Sequence, residues 1–101
     1  MAYDPGALHT ALAAAVGDDP ALVAELRNAF LESAASHVDA LGRSRCDANW
    51  RMAACRLQGL AASFGAIRLM ELAAEAAEGA PGDPVILRRL DRAIAVFTEG
   101  A

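Results

Sequence analysis

Cys55 is the side chain in this sequence best suited by type to covalent chemistry. Its thiol is a nucleophile once ionised, and two arginines, Arg51 and Arg56, stand within about one helical turn of it in sequence. Cations at that range favour the thiolate, which is the reactive form. A second thiol, Cys46, precedes it by nine residues, while His9 and His37 are remote from both. That spacing is no metal-ligand motif, so neither a metal nor another cofactor is expected. With no secretory context in the sequence, reduced thiols are expected rather than a disulfide.

Rigid elements must hold such a group, and the composition supplies helices. Alanine, the best helix former, provides 26 of 101 residues, whereas β-branched and aromatic residues are sparse. Asp4-Pro5, Asp19-Pro20 and Asp83-Pro84 each join an N-capping side chain to a proline suited to the first helical position. Asp47 is read as the cap of a further helix, Gly65 as its terminator, and Gly79-Ala80-Pro81-Gly82 as the break before the last. The expected helices run from about Pro5 to Val16, Pro20 to Leu41, Ala48 to Phe64, Ala66 to Glu78 and Pro84 to Phe97.

Four of these helices carry stripes at helical spacing: Leu22, Leu26, Phe30, Ser33 and His37; Trp50, Ala54, Leu57, Ala61 and Phe64; Leu69, Leu72, Ala73 and Ala76; Ile86, Leu90, Ala93, Ile94 and Phe97. The expected fold class is all-α, an antiparallel up-and-down four-helix bundle with a short additional N-terminal helix, forming one domain over residues 1–101. Phe30, Trp50, Leu57, Phe64, Leu72, Leu90 and Phe97 are its expected core. The second helix has a broader apolar arc, through Val23, Leu31, Ala34 and Val38, part of which is left over for the first helix or a partner. His37 falls in line with the second stripe and is read as a packed residue. His9 lies off the Leu8, Leu12 and Val16 positions and is read as solvated.

The net charge of −4 excludes a general nucleic-acid binder, which needs an excess of cations. No apolar run approaches the roughly 18 residues of a membrane span, and no cationic leader precedes an apolar segment. A cytoplasmic protein is expected. All nine cations are arginines, four of which, Arg43, Arg45, Arg51 and Arg56, cluster around the start of the third helix.

At about 100° per residue, Cys55 points away from the stripe that begins at Trp50. Met52, Gly59, Ala62 and Ser63 share its side, with Arg51 and Gln58 on one flank and Arg56 on the other. Outer helix faces normally carry long charged side chains, but this one is built from small residues. Gly59 in mid-helix costs about 0.8–1 kcal/mol relative to alanine. Close approach of another surface would account for it, whether that surface belongs to a partner or to the chain's own first helix, and tolerated drift in an alanine-rich protein is the other account.

Ala54, Cys55, Arg56, Leu57, Gln58 and Gly59 are followed by Gly65 and Ala66, then by Leu69 and Glu71. This run resembles the histidine phosphotransfer (Hpt) domains of bacterial phosphorelays, whose third helix bears a pattern like A-H-x-L-K-G-x-x-x-x-x-G-A. The resemblance covers Asp47 to about Glu78 and extends more weakly to the preceding helix through Phe30 and Leu41. It implies that Cys55 stands where the family's phosphoacceptor histidine belongs, and Gln58 where a lysine usually helps hold the phosphoryl oxygens. In the family, that histidine attacks the aspartyl phosphate of a receiver domain, which itself supplies the metal ion and most of the transition-state stabilisation.

Without the imidazole, the implied protein is a docking module with no catalytic residue of its own. Its expected partners are a response-regulator receiver domain, a histidine kinase, or both, contacted through Arg51, Met52, Cys55, Arg56, Gln58, Gly59, Ala62 and Ser63. Arg43, Arg45, Arg51 and Arg56 would form a basic rim complementary to a receiver's acidic pocket. The alternative is a protein that uses Cys55 as a nucleophile, in phosphotransfer or as a redox-sensing thiol. A third possibility is a cysteine introduced into an otherwise histidine-bearing domain.

Overall fold

Aspartates set two of the helix starts. Asp19 Oδ1 accepts the backbone N–H groups of Ala21 at 2.9 Å and Leu22 at 3.4 Å, and Asp83 Oδ1 accepts that of Val85 at 2.9 Å. These N–H groups have no partner within their own helix, and the proline that follows each aspartate contributes no donor of its own. The computed structural model describes the backbone of residues 5–17 and 19–99, and side chains over 10–17 and 19–97. Its elements are α1 (Pro5–Val16), α2 (Pro20–Gly42), α3 (Asp47–Ser63), α4 (Ile67–Glu78) and α5 (Pro84–Glu99). The fold is all-α, with no strand among the described residues. Asp4, read as the cap of α1, lies outside those residues, as does the side chain of His9.

Asp47 does not cap α3. Cys46 holds the cap position in an extended conformation without a side-chain hydrogen bond, and Asp47 is the first helical residue. A carboxylate is favoured near a helix N-terminus at either position, because the N-terminal end of the helix dipole is positive. At the other end Gly65 does terminate α3, with φ at +68°. The N–H of Ala66 reaches back to Ala61 O at 2.9 Å and that of Gly65 to Ala62 O at 3.2 Å, the paired bonds of a Schellman motif.

Helix α3 packs on α2 and α4, α5 packs on α2 and α4, and α1 packs on α2. Trp50, Ala54, Leu57 and Ala61 of α3 share one buried cluster with Leu69, Leu72, Ala73 and Ala76 of α4 and with Ile86, Leu90, Ala93 and Phe97 of α5. Leu12 of α1 also enters this cluster. Phe64 is only half-buried, because α3 ends at Ser63 and the ring leaves from the cap residue. It still packs on Phe30 with centroids 4.8 Å apart, and Phe30 meets Phe97 edge-on at 6.0 Å.

The buried face of α2 differs from the expected stripe. Val23, Phe30, Ala34, Val38 and Leu41 are buried, whereas Leu26, Ser33 and His37 lie at the edge and Leu22 is 45% exposed. Three helices pack on α2, so its interior arc is broad and its centre is displaced by about one residue from the Leu22–His37 line. Val23, Ala34 and Val38, in the broader arc of which part was expected to serve the first helix or a partner, are core residues, and α1 does pack on α2.

Two side chains tie neighbouring helices together through backbone carbonyls. Buried Trp50 Nε1 donates to Ala76 O near the end of α4 at 2.6 Å, and half-buried Arg27 donates to Phe97 O in the last turns of α5. Carbonyls near a helix C-terminus lack intrahelical donors, and a cation there also suits the helix dipole. Trp50→Phe should therefore destabilise the fold by about 1–2 kcal/mol, since one donor is lost while the N–H of Gly79 still reaches Ala76 O. Urea denaturation measures this, and an unchanged midpoint would show that the indole N–H contributes nothing.

Candidate docking site on the third helix

The seventeen residues of α3 turn four small-to-large apolar side chains inward and leave its opposite face uncovered. Trp50, Ala54, Leu57 and Ala61 are each no more than 1% exposed. Cys55, Gly59, Ala62 and Ser63 are exposed on the other side, together with Met52 at 51%. Arg51 and Arg56 are exposed on the flanks, and Gln58 is half-buried. These are the residues the sequence singled out, brought onto one surface of one helix.

Gly59 tests whether the chain's own packing requires that surface. A Cβ built on it would meet nothing within 4 Å, so no other part of the described chain needs the glycine. Its close approach to α1 is thereby removed, because α1 packs on α2 instead. Ser63 Oγ donates back to Gly59 O at 2.9 Å, which folds the hydroxyl onto its own helix and keeps this face low. The result is a shallow strip of thiol, backbone and methyl groups, with Met52 rising at one end.

The four arginines, all exposed, are spread over two clefts and a loop. Arg43 and Arg56 line a cleft of about 280 Å³ between the end of α2 and α3, whose other walls are Ala40, Ser44, Asn49, Met52 and Ala53. Arg51 lines a different cleft of about 290 Å³, with Asp47, Trp50, Ala77 and the Gly79–Pro81 turn. Arg45 is exposed in the intervening loop. Arg43 also holds Asp39 at 3.0 Å, an exposed i,i+4 pair that offsets part of its charge. Asn49 and Ser44 went unnoticed in the sequence, although Asn49, Met52, Ala53 and Arg56 have the spacing of one helix face.

Both cysteines are free and exposed. Nine residues of separation place them about 13 Å apart along the helix direction, beyond disulfide reach. Cys55 sits more than two turns into α3, away from the N-terminal donors that most favour a thiolate. His37 is half-buried on α2 and does not belong to the α3 face. Among the described residues no group of three or more His, Cys, Asp or Glu side chains could hold a metal ion, and no helix is long and apolar enough to cross a membrane.

Comparison with models of known protein families, with curated proteins and with solved structures returned no match.

Because Gly59 is helical, does not adopt positive φ and has open space beside it, Gly59→Ala should stabilise the isolated protein by about 0.5–1 kcal/mol. Urea denaturation is the measurement. A loss of stability would mean that the glycine serves the fold itself.

Proposed function

We propose that this chain is an Hpt-like docking module of a phosphorelay, which binds a receiver domain or a histidine kinase through the outer face of α3 and carries no phosphoryl group itself. In this reading residues 1–101 form one cytoplasmic domain, and α2 to α5 form an antiparallel up-and-down bundle with α1 laid against it. The closed order of neighbours, α2 to α3 to α4 to α5 and back to α2, supports that arrangement, as do the short connections between them.

The observation that carries the proposal is Gly59. It occupies a solvent-open position in mid-helix, where it is unfavourable for the fold and unused by it, one turn from Cys55. An incoming surface that must approach the helix backbone gives this cost a purpose. The spacing from Ala54 to Ala66 supplies the class of partner, because it follows the Hpt pattern at every step except the two that hold the phosphoryl chemistry, Cys55 and Gln58. Met52 supplies an adaptable apolar contact, and Arg51 and Arg56 supply positive charge on either side of it.

A second reading rests on the exposure of Cys55. A thiolate there would attack the phosphorus of a receiver's aspartyl phosphate, form an S–P bond and release the aspartate carboxylate. This reading ranks second because Cys55 lies more than two turns from the helix N-terminus.

Calorimetric titration with purified receiver domains from the genome that encodes the chain tests the leading proposal. At least one should bind, and Gly59→Arg should weaken it by about ten-fold or more, since the added bulk lies at the point of closest approach. Binding to none of them, or unchanged affinity for the variant, would remove α3 as a docking surface.

A further inference from the structure

We propose that the cleft between α4 and α5 is a second binding surface, which takes an acidic amphipathic helical segment of a partner protein. The cleft has a volume of about 320 Å³ and is lined by Arg68, Leu72, Arg89, Arg92, Ala93 and Val96. Its lining contains three cations and no anion, in a chain whose net charge is −4. Leu72 and Ala93 belong to the buried core, so the floor is apolar and fixed in place, while the guanidinium groups rise from its edges.

The arginines are only loosely engaged by their own chain. Half-buried Arg68 and Glu71 approach to only 4.0 Å, leaving Glu71 Oε1 buried without a hydrogen bond, and exposed Arg89 faces both oxygens of exposed Glu75 at 3.4 and 3.5 Å. An exposed pair such as Arg89–Glu75 is worth about 0–1 kcal/mol, so the Arg89 guanidinium can turn to a better-placed carboxylate and bind it in bidentate fashion. Arg92 has no ion-pair partner among the described residues.

Length favours a peptide over a small anion. Val85, Arg89, Arg92 and Val96 share one side of α5 at helical spacing, with Val85 and Val96 53% and 38% exposed. This ridge runs for about 16 Å, or three helical turns, and the cleft opens along its Arg89–Val96 part. A partner helix with apolar residues at i, i+4 and i+7 could seat one of them against Val96, and acidic side chains on either flank would meet Arg68, Arg89 and Arg92. α3 and α5 are not a packed pair, since α2 and α4 lie between them. The surface is therefore separate from the α3 face and does not depend on the function proposed for it.

The test is an amide chemical-shift titration of the isotope-labelled chain with a synthetic acidic peptide of about 16 residues. Leucines at i, i+4 and i+7 are flanked by glutamates, and a matched peptide carries glutamines instead. The acidic peptide should shift resonances of residues lining the α4–α5 cleft, and the glutamine peptide should bind about ten-fold more weakly or worse. Arg92→Glu, a surface change that leaves the core intact, should cost about ten-fold in affinity, whereas the same charge change at Arg56 on α3 should cost less than about two-fold. The proposal is overturned by shifts located elsewhere, by equal binding of both peptides, by an Arg92→Glu effect no larger than that of Arg56→Glu, or by no binding at all. Cleft resonances responding to anionic phosphatidylglycerol vesicles but not to the peptide would also overturn it, in favour of a membrane surface.

Discussion

Burial of one stripe on α3 governs the whole outer surface of that helix. Trp50, Ala54, Leu57 and Ala61 must face the core, and because an α-helix is rigid at this length, their burial fixes the direction of every other residue on it. Cys55 and Gly59 face solvent for this reason and need no contact of their own to do so. The stripe is held at its start by the Trp50 hydrogen bond to Ala76 O and at its end by the Gly65 turn, which pins both ends of the helix relative to α4.

Small residues at the helix contacts shape how this interior is stabilised. Ala54 and Ala61 of α3 and Ala73 and Ala76 of α4 are all essentially inaccessible, which lets the two helices approach closely but contributes little apolar area per residue. Most of the hydrophobic stabilisation then falls to a few large side chains, above all Trp50, Phe30, Phe97 and the buried leucines. The two side chain to carbonyl bonds, from Trp50 and Arg27, add direction to a core that is otherwise built from non-directional contacts.

The parts of this arrangement legible in the sequence were those with a local physical signal. Asp19 and Asp83 announced their helices because a cap is set by the residues next to it, and the stripes of α3, α4 and α5 were readable because each helix presents a narrow face to the core. α2 was misread by about one residue, since three helices surround it and alanines blur the edge of its apolar arc. Asp47 and Cys46 exchanged roles because a carboxylate is favourable at either position. Clefts between helices were not legible: Asn49 and Ser44 line one from either side of a loop, and Arg92 and Arg68 line another from two helices, so no spacing within one segment marks either. The acceptors of Trp50 and Arg27 are backbone carbonyls, which carry no sequence signal at all.

The proposed role of α3 separates two properties that the Hpt pattern normally combines, a surface that a receiver can approach and a side chain that accepts its phosphoryl group. In the proposal the first rests on Gly59 and its small neighbours, and the second is lost because Cys55 and Gln58 stand where the pattern has histidine and lysine. Incubation with a phosphorylated receiver domain that binds the chain, followed by detection of labelled phosphoryl on each protein, tests that separation most directly. The native chain should take up no label, and the Cys55→His, Gln58→Lys double variant should take it up from the same receiver. Label on the native chain that disappears in Cys55→Ser would contradict the account.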